Sequence, residues 1–106
     1  MDDTASMTWH VYVVRTVDDF LYTGIATDVA RRYEEHVAQG PKAAKYLLAH
    51  KPQELVLSAP VGSRSLALKV EYHLKRLSRA QKDALLRAGQ VLFDPETGHV
   101  QMQRHI

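Results

Sequence analysis

Five polar side chains stand out for what they could do together. Tyr12 and Tyr22 lie ten residues apart in "VYVVRTVDDFLYTG", Arg32 and His36 lie four apart in "RRYEEH", and Glu71 follows in "LALKVEYHL". A guanidinium holds a phosphate through parallel N–H donors. A histidine accepts or donates a proton near neutral pH. A carboxylate binds a hard divalent cation, and phenols hydrogen-bond an oxyanion or, beside a cation, exchange a proton. Taken one at a time, each has an ordinary structural explanation. The tyrosines suit the core of a hairpin, the arginines a solvated helix face, and His36 an amphipathic surface. Glu71 suits an ion pair with Lys75 four residues on. The other histidines, at 10, 50, 73, 99 and 105, show no tight metal-ligand spacing.

Positioning those groups falls to a short series of elements. Trp9 to Thr16 and Phe20 to Gly24 are β-branched and aromatic with "VDD" between them, which predicts a hairpin. Alternation sets Trp9, Val11 and Val13 on one face and His10, Tyr12 and Val14 on the other, so helices are expected to cover at least one of them. Thr27 or Asp28 is expected to cap a helix through about Gln39, with Val29, Tyr33 and Val37 as its buried stripe and Gly40-Pro41 as its stop. Lys42 to His50 suits a short helix, and Glu54 to Val61 a third strand with Pro60 at an edge. Ser63 or Ser65 is expected to cap a longer helix to about Ser78, with Leu66, Val70, Leu74 and Leu77 inward. Glu71 falls on the shoulder of that stripe. Arg79 to Ala88 predicts a last helix closed by Gly89. Beyond it "VLFDPETGHV" suits a hairpin or an irregular turn, and the rest is expected mostly as coil. Three strands without a strand-helix-strand repeat predict an α+β fold: a small three-stranded antiparallel sheet flanked by helices.

Composition sets the outer limits. The 106 residues suffice for one domain with its own core. We expect a loose tail over 1–6, the domain over 7–89 and an extension over 90–106. With no cysteine, disulfides, thiolate zinc sites and a cysteine nucleophile are excluded. No apolar run reaches the roughly 20 residues that span a bilayer, and "MDDTASM" is acidic where a secretory signal is basic. A soluble cytoplasmic protein with no membrane partner is therefore expected. The net charge of +2 conceals a basic middle: residues 31 to 87 carry twelve basic and five acidic groups. Arg31, Lys42, Lys45, Arg64, Lys75, Arg76 and Arg79 are the candidates there for holding a nucleic-acid backbone.

The order "VYV", "YTG", "RRYEEH" and a helical glutamate resembles the GIY-YIG nuclease superfamily over about residues 9 to 79. "TDVARRYEEH" and "APVGSRSLALKVEYHLKRLS" are similar to its small stand-alone bacterial members. The resemblance implies a phosphodiesterase site served by Mg²⁺ or Mn²⁺. In it Tyr12 and Tyr22 are the motif tyrosines, Arg32 the helix arginine, His36 the residue one turn later and Glu71 the metal ligand. It also implies DNA as the partner, branched, nicked or single-stranded, with a protein partner supplying specificity. His10 and Thr23 depart from the two motif triads, and Ile25 stands where some relatives place lysine. "KYLLAHKP" is less basic than the corresponding "KYTR" type of stretch. Three functions follow as expectations: a metal-dependent endonuclease, a nucleic-acid-binding domain with little activity without a partner, and a plain interaction module.

Overall fold

The computed structural model describes residues 7–102. The tail over 1–6 and the last four residues, His105 among them, lie outside the described residues. Strand β1 spans Trp9–Thr16 and β2 Leu21–Ala26; helix α1 follows at Val29–Val37, α2 at Lys45–Ala49, and strand β3 at Pro52–Gly62. Helices α3, Arg64–Lys75, and α4, Arg79–Ala88, precede a two-residue pair, β4 at Leu92–Phe93 and β5 at Val100–Gln101. The main sheet has the order β2-β1-β3, antiparallel throughout. The α+β expectation therefore holds.

The turn between β1 and β2 is built by Thr16, whose hydroxyl accepts from the Phe20 amide at 2.8 Å and donates to Asp18 Oδ1 at 2.6 Å. Asp19 supplies the left-handed residue, φ 64°, a conformation that aspartate tolerates better than most. Because β1 is central, both of its faces are buried. Val11 and Val13 join Leu57, Ala59, Val70, Leu74 and Leu85 on the α3 face. Tyr12 and Val14 join Ala26, Val29 and Leu47 on the face of α1 and α2. The alternation of β1 thus sorts its side chains between two separate cores, each fully buried aliphatic contributing about 1.5–3 kcal/mol. Pro60 sits in β3, an edge strand, where a missing amide costs no ladder bond on the open side.

Asp28 caps α1 by accepting from the Arg31 amide at 3.1 Å. The stripe of α1 is rotated from the expected one: Val29 and His36 are buried, whereas Val37 is 50% exposed. At 3.6 residues per turn a residue seven positions after Val29 lies within about 20° of it, and one eight positions after lies about 80° away. Geometry favours His36, and the fold accepts a polar side chain there because it is fully hydrogen-bonded. Helix α3 is capped by Ser63. It ends at Lys75 rather than near Ser78, since Ser78 starts α4 in a reciprocal capping box with Gln81. Gly89 closes α4 with φ 74°, as expected.

The stretch after Gly89 is more ordered than coil. Val91 and Val100 are buried in the α3-side core. Gly98, φ +73°, lies so close to α3 that a Cβ there would come within 2.5 Å of Lys69 Cβ and 3.1 Å of the Val70 amide nitrogen. Two-residue strands leave too short a periodic pattern to be read from sequence.

Candidate active site

Tyr12 stands at the middle of β1 opposite Gly24 of β2. Its ring lies across that glycine: a Cβ on Gly24 would meet Tyr12 Oη at 2.5 Å and Cζ at 2.6 Å. The hydroxyl is thereby aimed over β2, toward the free edge of the sheet, where it is 2.9 Å from His36 Nε2. His36 in turn accepts the Ala44 amide at Nδ1, 3.2 Å. Tyr12 and His36 are 1% and 0% exposed.

These contacts fix the protons. An amide can only donate, so Nδ1 carries no hydrogen. Burial, reinforced by the Arg32 charge, pushes the His36 pKa down to about 4, so the ring is neutral at physiological pH and its hydrogen sits on Nε2. His36 therefore donates to the Tyr12 oxygen. Tyr12 keeps its own hydroxyl hydrogen, and Arg32 and Tyr22 lie within hydrogen-bonding reach of the same hydroxyl. With both nitrogens engaged, His36 has no atom left for a phosphate, which narrows the sequence expectation for it to positioning Tyr12. The Tyr12 pKa itself is raised, first by burial and then by neighbouring Tyr22, with Arg32 pulling partly the other way. In this protein Tyr12 is a phenol, not a phenolate.

Tyr22 completes the group, its ring 5.6 Å from His36 edge-on and 6.3 Å from Tyr12. Arg32 comes from the same face of α1. Its Nη1 donates to the Lys42 carbonyl at 2.6 Å and to Glu35 Oε1 at 2.9 Å, which steadies the guanidinium within hydrogen-bonding reach of Tyr12. Beside it opens a cleft lined by Trp9, Ile25, Asp28, Arg31, Arg32 and Glu35. Four of the five expected site residues, Tyr12, Tyr22, Arg32 and His36, are thus gathered on one face.

Glu71 is not among them. It is carried by α3, whose Val70 and Leu74 pack against Val11 and Val13 on the opposite face. Its carboxylate is 18% exposed and 3.5 Å from Lys75 Nζ, so the expected pairing exists. Among the described residues no three His, Asp or Glu side chains form a metal cage. A single partly dry carboxylate nevertheless suits Mg²⁺, which keeps most of its waters and takes one or two carboxylates together with phosphate oxygens.

The backbone-holding candidates divide between the two faces. Arg31, Lys42 and Lys45 are exposed on the side of the tyrosines, and Arg64, Lys75 and Arg76 on the side of α3. Arg64 covers Trp9 at 5.6 Å and Arg76 covers Tyr72 at 5.3 Å. Arg79 instead clamps the hairpin to α4: it donates to the Asp19 carbonyl at 2.6 Å and to the Asp19 and Asp83 carboxylates at 3.0 Å. Sequence reasoning missed Gly24 as the seat of the Tyr12 ring, Ala44 as the anchor of His36, and Tyr46, which stacks on Tyr22 at 5.9 Å. The fourfold spacing of Tyr46 and His50 was a signal for the last of these.

Comparison with known proteins shows the family. The sequence profile of the GIY-YIG catalytic domain matches residues 8–84. A UPF0213 protein of Citrobacter koseri is 51% identical over 82 residues, 77% of this chain and 80% of its own. The UPF0213 protein YhbQ of Escherichia coli strain K12 is 52% identical over 81 residues, 76% of this chain and 79% of its own. The solution NMR structure of the UPF0213 protein BH0048 from Bacillus halodurans is similar with a TM-score of 0.50 and 36% identity, over 77% of this chain and 85% of that one. The chain belongs to the GIY-YIG family, whose catalytic domain is of the nuclease type.

Proposed function

We propose that this protein is a divalent-metal-dependent endonuclease that hydrolyses phosphodiester bonds in DNA, of the branched, nicked or single-stranded kinds met in repair and recombination. The observation that carries this is the fixed hydrogen-bond chain Ala44 N–H to His36 to Tyr12, with Tyr22 and Arg32 beside it. A core needs no such arrangement. It holds a buried phenol over the edge strand, fixed by His36 and with Arg32 and Tyr22 in hydrogen-bonding reach of its hydroxyl.

In the mechanism, Tyr12 orients the attacking water by accepting from it and donating to a phosphate oxygen, while His36 holds the phenol in place. Arg32 binds the negative charge that grows on the phosphate, and Tyr22 hydrogen-bonds the same group. Water oxygen bonds to phosphorus as the ester P–O bond breaks; the water's proton passes to solvent, and the departing oxygen takes up a proton from solvent. Glu71 would hold Mg²⁺ or Mn²⁺, which would supply Lewis-acid polarisation of the phosphate. Since α1 and α3 lie on opposite faces, the site straddles the open edge of β2, where Gly24 offers no side chain to block it. Arg31, Lys42 and Lys45 guide the strand on one side of that edge, and Arg64, Lys75 and Arg76 on the other. Sequence-independent contacts of this kind leave target choice to a partner protein.

Purified protein with labelled branched and single-stranded DNA in Mg²⁺, Mn²⁺ or EDTA tests the proposal. Metal-dependent products lost in Tyr12→Phe and in Glu71→Gln support it. Products that persist in Glu71→Gln remove the metal assignment, and binding without products leaves a nucleic-acid-binding domain.

A further inference from the structure

The aromatic side chains do not stop at Tyr22. Tyr46 of α2 stacks on Tyr22 with an interplanar angle of 26°. His50 stacks on Tyr46 at 4.6 Å and 29°, and Phe20 makes a T-shaped contact with His50 at 4.9 Å. The row Phe20, His50, Tyr46, Tyr22 runs over the sheet face that carries Tyr12 and ends beside it. Its outer members are not core: Phe20 is 47% and Tyr46 39% exposed. The His50 ring cannot swing freely, because Asp18 Oδ2 holds its Nδ1 at 2.6 Å and the Thr16 hydroxyl holds Asp18 in turn. Lys42, Lys45 and Lys51, all exposed, flank the row on the same segment.

A fixed row of partly exposed rings, a cationic flank and continuity with the proposed phosphate site occur here in one place. Resting on the proposal that Tyr12 and Arg32 serve a phosphodiester, we propose that Phe20, His50 and Tyr46 form a stacking platform for unpaired bases of the DNA strand adjoining the scissile phosphate. Every base has a π-face, so such a platform accepts any sequence. Within a duplex those faces are covered by neighbouring base pairs, so only a single-stranded or frayed segment can use it. The lysines would hold the phosphates between stacked bases, giving affinity that falls with salt.

The test separates bases from backbone charge. Full-length protein in EDTA is titrated, by fluorescence anisotropy, into labelled short oligothymidine and into an abasic oligonucleotide with the same number of phosphates. Wild type should prefer the base-bearing probe by about fivefold to a hundredfold. Tyr46→Ala should remove most of that preference and Tyr46→Phe should keep it, while Lys45→Ala should weaken both probes alike. Phe20→Ala, at an exposed turn position, gives an independent second loss. Equal binding of the two probes by wild type, binding of neither, or a full preference retained in both Tyr46→Ala and Phe20→Ala would overturn the platform. Cleavage is read separately in Mg²⁺. Cleavage without base preference rejects the platform and keeps the nuclease; base preference without cleavage in any metal does the reverse.

Discussion

Replacing Gly24 with alanine tests whether Tyr12 is held where the structure puts it. Gly24 is not one of the left-handed glycines, which are Gly62, Gly89 and Gly98, so its backbone would accept alanine. The obstacle is the Tyr12 ring, with Oη at 2.5 Å, Cζ at 2.6 Å and Cε1 at 3.0 Å from the new methyl carbon. The ring has no exit, being 1% exposed and boxed by His36 and Tyr22. Overpacking of this kind costs about 1–3 kcal/mol. Displacing the hydroxyl also strands the His36 N–H, another 1–3 kcal/mol or so. Together they predict a loss of about 2–6 kcal/mol, or a fall in Tm on the order of 10–30 °C for a domain of this size.

Urea and thermal unfolding of four proteins decide it: wild type, Gly24→Ala, Tyr12→Ala and the double variant. In the Tyr12→Ala background the clash is gone, and Gly24→Ala should cost less than about 0.5 kcal/mol or even stabilise slightly by restricting the unfolded chain. A coupling energy above about 1.5 kcal/mol is expected. Tyr12→Phe should not rescue, since Cζ remains in the way. A Gly24→Ala protein as stable as wild type, or the same cost in both backgrounds, would show that the ring does not lie across Gly24.

Acid stability reports on His36. Its folded pKa of about 4 lies below the unfolded value near 6.5. The unfolded chain therefore binds the extra proton first, and stability falls as pH drops from about 6.5 to about 4, by on the order of 2–3 kcal/mol. Urea midpoints measured across that range should lose most of this slope in His36→Gln; an unchanged slope would mean that His36 is not buried neutral. Gly98→Ala should destabilise by about 1–3 kcal/mol in urea unfolding, because its methyl strikes Lys69 and its φ is left-handed. A neutral result would detach the β4–β5 turn from α3. Ser78→Ala should cost about 1 kcal/mol by thermal melting through loss of the capping box.

The hairpin, the caps at Asp28 and Ser63 and the stop at Gly89 were legible because each rests on local chemistry that a few residues encode. The inward turn of His36 was not, since a hydrophobic count sets Val37 in the core and cannot register that an amide eight residues away will satisfy an imidazole. The β4–β5 pair escaped for a different reason: its order comes from Val91 and Val100 reaching a distant core and from a glycine touching a helix. Tyr12, Tyr22, Arg32, His36 and Glu71 were picked out as a candidate set through the family pattern. The sequence alone gave no hint that Glu71 would leave the sheet on the other side from Tyr12.

That division follows from parity. Tyr12 and Val11 are neighbours in β1 and must face opposite ways. Val11 shares its core with Val70, and Glu71 adjoins Val70, so helix α3 and its carboxylate belong to the face that Tyr12 turns its back on. Groups so divided can serve one phosphate only around a strand edge, and of the two edges β2 is the one over which the Tyr12 ring extends. A bulky side chain at position 24 would both displace that ring and obstruct the passage between the faces. Glycine at that point in β2 is therefore demanded twice, once by packing and once by the chemistry we propose. The double variant Gly24→Ala with Tyr12→Ala isolates the packing demand, because the ring that the methyl would strike is absent. It should be about as stable as Tyr12→Ala alone, both lying below wild type through loss of a buried aromatic ring, and neither should cleave.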